Sequence, residues 1–248
     1  NAMSSLSRCL VAHRGYQHHF PENTLSALKA AVAEGVHHLE IDIQLSADGV
    51  PMVYHDLSLK RTSGMKGMIN HYSAAQLTQF NAAEEKRLGD RFHSEPIPQL
   101  SQVVAWLQTI ICDRTELTLF VELKEESIEH QGIQTMLDAV LPILEPIRSH
   151  AVLISFDEAV LQAARSRWPT TGLILRGWPA KEQSLTRVQP DYLILNHRHI
   201  GWGQRLDNQP LPVMVYEISS IDQARHWLER GATLLESFSV GELIQAAK

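Results

Sequence analysis

The sequence predicts an α/β fold, a TIM (β/α)8 barrel with a small insertion after the second strand. Short apolar segments of strand length alternate with helical patterns along most of its 248 residues, an order that produces a parallel sheet. We count eight such strands, and this number and length are typical of the barrel. A doubly wound sheet usually carries a glycine-rich phosphate loop, which we do not find. We therefore expect a single domain over residues 1–248.

The first predicted strand is the apolar run Cys9 to Ala12, and it ends in His13-Arg14-Gly15. A strand that stops in polar residues places them at the rim of its sheet. A helix follows, with Asn23 or Thr24 as its N-cap, apolar residues recurring on one face, and Gly35 at its end. This strand and helix form the first unit of the barrel.

The second predicted strand, Leu39 to Leu45, alternates apolar residues with Glu40, Asp42 and Gln44. Because the side-chain period of a strand is 2, both carboxylates face the same side. Two carboxylates inside an apolar interior repel each other unless a cation lies between them. Their oxygen atoms suit Mg²⁺ or Ca²⁺ better than a soft metal. The alternative is an ordinary strand whose polar face contacts water.

A second histidine follows the next apolar strand, Val50 to Tyr54, in the pair His55-Asp56. One histidine at a strand end is more often structural, but two that flank an acidic pair favour a catalytic site. Residues from about 57 to 98 then lose the alternation and contain one short predicted helix, Ala74 to Phe80. The length of this segment favours a functional insertion over a simple connector.

The alternation resumes after residue 98, and the last predicted strand is Ala232 to Leu235. In a TIM barrel the C-terminal ends of the strands carry the chemistry. Glu122 and Lys124 share one face of the third strand, so Glu122 is predicted to join Glu40 and Asp42 as a metal ligand. Lys124 and Arg14 are the cations that a phosphate needs. An exposed pair on an edge strand is the alternative, but a closed barrel has no edges.

The order and spacing of His-Arg-Gly, Pro-Glu-Asn-Thr, Glu-x-Asp, Asp-Gly and His-Asp resemble the signature of the glycerophosphodiester phosphodiesterase family, in its cytoplasmic bacterial type. The resemblance continues in Arg61-Thr62, Ile97-Pro98-Gln99-Leu100, Val121-Glu122-Leu123-Lys124 and Ser155-Phe156. It covers roughly the whole chain and weakens in the last third. The resemblance implies that the segment from about 57 to 98 is a small insertion near the active site, where it forms one wall of the substrate cleft.

The resemblance implies metal-dependent hydrolysis of a small-molecule glycerophosphodiester to sn-glycerol 3-phosphate and an alcohol. The nucleophile it implies is the glycerol 2-hydroxyl, which forms a cyclic phosphate that water then opens. The implied roles are acid and base for His13 and His55, in an order left open, phosphate binding for Arg14 and Lys124, and one Mg²⁺ or Ca²⁺ held by Glu40, Asp42 and Glu122.

Two departures from the family pattern bear on substrate preference. The family usually has Trp-Thr near the seventh strand, where this chain has Val215-Tyr216-Glu217. The Thr-Asp pair that usually follows the eighth strand is here Glu236-Ser237. We predict that Tyr216, Phe156 and Glu217 line the substrate pocket, and that Glu217 favours a cationic alcohol group.

Composition excludes several other classes of protein. A net charge of −6 argues against a nucleic-acid partner. We expect no secretory segment and no stable membrane association, since we find no apolar run of about 18 residues. Residues 1–3 are predicted to be a tag remnant. Cys9 in a predicted core strand and Cys112 at a helix end do not form a disulfide framework, so we expect a reduced, cytoplasmic protein. Its oligomeric state is left open.

Two alternative functions remain open. One is a related phosphodiesterase that acts on lysophospholipids in the manner of lysophospholipase D. The other is a catalytically silent, phosphate-binding barrel, which would be expected to have lost a histidine or an acidic ligand. The segment His197-Arg198-His199 has the spacing of a transition-metal pair, and its role is also left open.

Overall fold

The computed structural model describes residues 5–248, and the predicted tag remnant at residues 1–3 lies outside the described residues. Eight parallel strands close into a barrel, which confirms the predicted TIM-barrel fold. A short ninth strand, β3, pairs antiparallel with the end of β2. The strands are β1 Leu10–His13, β2 His38–Leu45, β3 Pro51–Val53, β4 Thr118–Leu123, β5 Ala151–Ser155, β6 Thr171–Ile174, β7 Tyr192–Asn196, β8 Val213–Tyr216 and β9 Leu234–Ser237.

Helices cover the outside of this barrel. They are α1 Leu6–Cys9, α2 Leu25–Ala33, α3 Lys60–Ser63, α4 Ala74–Leu77, α5 Glu85–Leu88, α6 Leu100–Gln108, α7 Glu125–Gln131, α8 Ile133–Leu144, α9 Glu158–Ala164, α10 Glu182–Val188, α11 Ile221–Glu229 and α12 Val240–Ala246. The sequence pattern predicts one helix over residues 131–144, and this helix is observed as α8. Gly132, which has a positive φ of 96°, separates α8 from an additional helix, α7. Helix α7 begins directly after the third barrel strand, β4.

The barrel interior below the polar rim is apolar. It contains a cluster of one or two residues from β1 and from each strand between β4 and β9: Val11, Phe120, Val152, Ile154, Ile174, Ile194, Met214 and Leu234. On β2, the alternate residues Glu40 and Asp42 are buried and polar. The larger core lies between the strands and the helices and includes Leu39, Ile41 and Ile43 of the same strand. The predicted alternation along β2 is therefore observed, with the two carboxylates on one face of the strand and the apolar residues on the face that packs against the helices.

The segment from 57 to 98 packs beside the barrel around a small core of its own. Ile69, Leu77 and Ile97 are fully buried in this cluster together with Met52 and Tyr54 of the β3 region. Its helices are short, so the predicted helix Ala74 to Phe80 is observed only as α4. The single-domain organisation over 1–248 remains a prediction.

Two sequence predictions about strand limits are wrong. Cys9 belongs to α1 and not to the first strand, because the chain becomes extended only at Leu10. The last strand runs from Leu234 to Ser237, two residues later than predicted, so Glu236 is a strand residue and is buried. Across the described part of the chain, the helices lack the length and apolar character needed to cross a bilayer.

Candidate active site

The strand register brings the predicted catalytic and acidic residues together. In the β1–β2 pair, His13 lies opposite Glu40, and in the β2–β4 pair, Asp42 lies opposite Glu122. Strand β9 flanks β1 on its other side and brings Glu236 to the same part of the barrel. Four adjacent strands thus supply the site, at the C-terminal ends where TIM-barrel enzymes carry their chemistry.

All of these residues except Asp42 line a cleft of about 310 Å³ at the mouth of the barrel. The cleft contains both predicted histidines, both predicted phosphate-binding cations and several carboxylates. Its polar lining consists of His13, Arg14, Glu40, His55, Glu122, Lys124, Asn196, Tyr216, Glu217 and Glu236. The structure therefore gathers residues that are distant in sequence around one small volume.

The three predicted metal ligands form a compact group. Glu40, Asp42 and Glu122 are buried, and each offers an oxygen atom within 4.8 Å of the others. Atoms on opposite sides of a Ca²⁺ ion lie about 5 Å apart, since each Ca–O bond is about 2.3–2.6 Å. Asp42 Oδ1 has no hydrogen-bond partner among the described residues although it is buried. The donor set and this orphaned oxygen fit a hard divalent cation.

The pKa values of these carboxyl groups reflect the crowding of charge. Burial, followed by the charges of Asp42, Glu236 and Glu122, raises the pKa of Glu40 well above its ordinary value. Burial and then the charge of Asp42 also raise the pKa of Glu122. Burial would raise the pKa of Asp42, but nearby positive charges, including those of Arg14 and Lys124, outweigh it and lower this pKa to about 2. A bound cation would relieve the repulsion that raises the first two pKa values.

Arg14 connects the end of β1 to two carboxylates of the site. Its backbone has a left-handed φ of 58°, and its N–H donates to Glu40 Oε1 at 3.2 Å. Its guanidinium lies 3.1 Å from Glu22 Oε2 and 3.4 Å from Asp42 Oδ2. Burial opposes the charge on Arg14, but Asp42, Glu22 and Glu40 outweigh it and raise its pKa. Arg14 is therefore a fixed cation at the rim of the cleft.

A close approach of two backbones explains why a glycine follows Arg14. The φ of Gly15 is +80°, and a Cβ at this position would lie 2.6 Å from the carbonyl carbon and 2.7 Å from the Cβ of Ala27. Gly35 has a similar φ of +94°, but a Cβ at Gly35 would have no atom of the described residues within 4 Å. A substitution at Gly35 therefore introduces backbone strain alone, whereas a substitution at Gly15 introduces the same strain and a steric clash.

We expect Gly35→Ala to lower the free energy of unfolding by about 1–2 kcal/mol through its left-handed backbone. Gly15→Ala should cost about 1–3 kcal/mol more, because the added methyl group overlaps the α2 backbone. Urea unfolding of both variants beside the wild type measures the difference. Equal losses in the two variants would contradict the close approach at Gly15.

A network of ion pairs behind the cleft joins Arg14 to His55. Glu22 is 3% exposed and accepts from Arg14 and, through both oxygens at 2.7 and 3.0 Å, from Arg61. Arg61 also donates to Asp56, with both distances 2.9 Å. Asp56 accepts in turn from His55 at 2.8 Å. The motif residues Glu22, Asp56 and Arg61, to which the sequence assigned no role, thus hold the two ends of the site.

The contacts of His55 define which of its nitrogens carries a proton. Lys124 has no acceptor, so its Nζ donates to His55 Nε2, at 3.5 Å. Nδ1 then carries the proton and donates to Asp56. Gln44 fixes the backbone, since its amide donates to the carbonyl of His55 at 2.9 Å. In this arrangement Nε2, the nitrogen nearest Lys124, is the acceptor of the ring.

His13 is held on three sides. Its Nε2 lies 3.0 Å from Glu236 Oε1. Its ring stacks on Phe238, with centroids 4.4 Å apart, and meets Tyr216 edge-on at 6.0 Å. The sequence pattern predicts that Glu236 follows the last strand, and this prediction is wrong. The strand extends to Ser237, and the alternation along Leu234-Leu235-Glu236 directs the carboxylate of Glu236 into the barrel.

The predicted pocket residues Phe156, Tyr216 and Glu217 all line the cleft. Phe156 also borders a neighbouring cavity of about 630 Å³, where Arg176 lies 4.4 Å from its ring centre. Glu217 has a left-handed φ of 64° and faces Arg198 at 3.6 Å. Among the described residues, His197 and His199 are not members of any group able to hold a metal ion.

Comparison with protein-family models shows which family this chain belongs to. The model of the glycerophosphoryl diester phosphodiesterase family matches residues 13–233. The chain belongs to this family. The match begins at His13 and includes every predicted site residue of the cleft.

Relatives of the phosphodiesterase family resemble this chain to differing extents. "Glycerophosphodiester phosphodiesterase 1" of Bos taurus is 31% identical over 170 residues, which are 68% of this chain and 49% of that protein. "Glycerophosphodiester phosphodiesterase" of Bacillus altitudinis is 32% identical over 50% of this chain and 49% of that protein. The chain thus matches about half the length of these curated relatives.

A solved structure of the family matches more completely. An Oleispira antarctica phosphodiesterase in complex with the product sn-glycerol-3-phosphate has a TM-score of 0.83 and 27% identity. The match covers 99% of this chain and 98% of that one. The barrel and its insertion are therefore shared over essentially their whole length with a phosphodiesterase crystallised with its product.

Proposed function

We propose that this protein hydrolyses glycerophosphodiesters to sn-glycerol 3-phosphate and an alcohol. The observation that carries the proposal is the convergence of His13, His55, Arg14 and Lys124 with the acidic trio Glu40, Asp42 and Glu122 around one cleft. Two histidines, two cations and an oxygen-ligand group are what metal-assisted cleavage of a phosphodiester requires. The product in the Oleispira antarctica structure supports the choice of substrate.

The acidic trio is proposed to hold one divalent cation, Mg²⁺ or Ca²⁺. The ion, when bound, supplies positive charge for a non-bridging oxygen of the phosphodiester. Arg14 and Lys124 line the same cleft and neutralise further charge, Arg14 through a planar fork and Lys124 as a point charge. Lys124 stays protonated, because the charges of Glu122 and Asp42 outweigh burial and raise its pKa.

The hydrogen bonds favour His55 as the general base and His13 as the general acid. His55 presents the lone pair of Nε2 beside Lys124, where it accepts a proton from the glycerol 2-hydroxyl. His13, whose Nε2 lies 3.0 Å from Glu236 Oε1, is assigned the donation of a proton to the leaving oxygen. The family resemblance implies that a cyclic phosphate forms first and that water then opens it with the roles of the histidines reversed.

The experiment is to measure release of glycerol 3-phosphate from glycerophosphoethanolamine and glycerophosphocholine, with Mg²⁺ or Ca²⁺ and again with EDTA. We expect release that EDTA abolishes and that added cation restores. Persistent release in EDTA would overturn the metal role, and no release with either ion would overturn the substrate class. Lysophospholipids then become the next substrates, and a silent phosphate-binding barrel the remaining alternative.

The other predictions from composition remain predictions. They are a cytoplasmic location, a small-molecule partner without nucleic acid, and no stable membrane association. The preference for a cationic alcohol group also remains a prediction, carried by Glu217 beside the aromatic rings of Phe156 and Tyr216. The preference is measured by comparing kcat/KM for glycerophosphocholine, which has a cationic alcohol group, with kcat/KM for glycerophosphoglycerol, which has a neutral one.

A further inference from the structure

Glu236 is the one carboxylate of the cleft whose placement the proposed reaction leaves only partly explained. It is 3% exposed and lies on β9. One of its oxygens lies 3.0 Å from His13 Nε2. The other, Oε2, is buried and has no hydrogen-bond partner within residues 5–248. A buried oxygen without a partner is costly unless a cation or a donor reaches it.

The residues around Glu236 form a second group with the geometry of a cation site. His13, Glu40 and Glu236 are all buried, and each offers a ligand atom within 4.8 Å of the others. Glu40 also belongs to the acidic trio, so the two groups share one carboxylate. Neighbouring ligands of a four-coordinate Zn²⁺ lie about 3.3 Å apart, since the bonds are about 2.0–2.2 Å. The observed 3.0 Å between His13 and Glu236 is close to this value.

The ligand types of this second group differ from those of the trio. An imidazole nitrogen with two carboxylates suits Zn²⁺ or Mn²⁺, whereas three carboxylates suit Mg²⁺ or Ca²⁺. Carboxylates that bridge two ions are the usual feature of centres with two metals about 3.5–4 Å apart. Glu40 is the carboxylate that two such ions would share, because its strand lies between β1, which carries His13, and β4, which carries Glu122.

We propose that His13, Glu40 and Glu236 form a second cation site, which binds Zn²⁺ or a similar transition-metal ion beside the Mg²⁺ or Ca²⁺ of the acidic trio. The protonated His13 of the proposed reaction would lose its Nε2 proton to the solvent when the ion binds, and would keep the proton on Nδ1, because a metal-bound histidine is deprotonated at the ligating nitrogen. His13 can then no longer donate a proton. The second ion is therefore an inhibitor of the Mg²⁺-supported reaction, a conclusion that rests on the proposed function.

The test is equilibrium dialysis of the metal-depleted chain against Zn²⁺ in a fixed excess of Mg²⁺, with the bound zinc measured by elemental analysis. We expect Glu236→Gln to bind about one Zn²⁺ ion fewer per chain than the wild type, since the amide is a weak ligand. Calorimetric titrations in two buffers of different ionisation enthalpy should show release of a proton by the wild type that is absent from the variant.

The matched control is Glu217→Gln. It removes the same charge from the same cleft but contributes no atom to the second group. Its Zn²⁺ stoichiometry should equal that of the wild type. Glu236→Asp retains the charge with a shorter side chain and should also bind zinc more weakly. Glu236→Asp replaces Glu236→Gln in the zinc measurement if urea unfolding shows that Glu236→Gln does not fold.

Zinc stoichiometry unchanged in Glu236→Gln and in Glu236→Asp would overturn the proposal, as would an equal loss in Glu217→Gln. Glu236 would then be only a hydrogen-bond partner of His13. Because dialysis needs no turnover, failure of this site and failure of the proposed reaction are distinguishable. If Glu236→Gln binds less zinc but the wild type hydrolyses no glycerophosphodiester, the second site is supported and the proposed function is overturned.

Discussion

The His55→Asn variant is expected to lower kcat by about 10²–10⁴-fold, the usual contribution of a positioned general base. His55 presents Nε2 to the cleft, and its other nitrogen is held by Asp56 at 2.8 Å. Asparagine has no group of comparable basicity, so the proton of the attacking hydroxyl would pass to water. Initial rates at saturating substrate and Mg²⁺ measure the effect, with KM determined in parallel.

The control for this prediction is His130→Asn. His130 is exposed on α7 and does not line the cleft, so its replacement should leave kcat within twofold or so of the wild type, as for most surface changes. The acidic trio lies on β2 and β4, so metal binding by His55→Asn should also be retained. If His55→Asn keeps kcat within about tenfold of the wild type while its metal content is normal, His55 is not the base.

The β2 part of the site could be predicted from local sequence. Alternation along Leu39 to Leu45 placed Glu40 and Asp42 on one face, and the structure buries both at 1% exposure. The histidines at the ends of two apolar strands followed the same logic. These predictions depended on side-chain period and strand ends, which are local properties of the chain.

Other parts of the site depend on contacts that a single sequence does not specify. Thr24 and Asn23 were equal candidates for the helix cap, and Thr24 is the residue that accepts from Ala27. Asn23 instead has a φ of 55° and exchanges two hydrogen bonds with Asp42, at 3.0 and 3.2 Å. Arg61 reaches Glu22 across 39 residues. Such pairings are set by tertiary packing, which overrides local preference.

Glu22→Gln is expected to lower the free energy of unfolding at neutral pH by about 3–5 kcal/mol, as when one partner of a buried ion pair is removed. The carboxylate accepts from both Arg14 and Arg61 while its side chain is only 2% exposed. The side chain of Arg14 is 13% exposed, so water cannot replace the lost partner. Urea unfolding at pH 7 measures the loss.

An exposed pair provides the control. In the pair Arg148 to Glu145 the side chains are 43% and 60% exposed, respectively. Glu145→Gln should therefore cost only about 0–1 kcal/mol, because solvent screens surface ion pairs. A similar loss in Glu22→Gln and Glu145→Gln would show that the network behind the cleft contributes no more than a surface contact.

The pH dependence of stability separates the charge of Glu22 from its packing. Burial would raise the pKa of Glu22, but the hydrogen bonds from Arg61 and the charges of Arg14 and Arg61 outweigh it and lower this pKa below 4.5. A carboxyl whose pKa is lower in the folded state stabilises the protein above the pKa of the unfolded state. That stabilisation is lost as the pH falls through the folded pKa. The stability difference between wild type and Glu22→Gln should therefore be constant above about pH 5.5 and narrow progressively below pH 4.5. A difference that stays constant down to pH 3 would mean that shape, and not charge, is what Glu22 contributes to the fold.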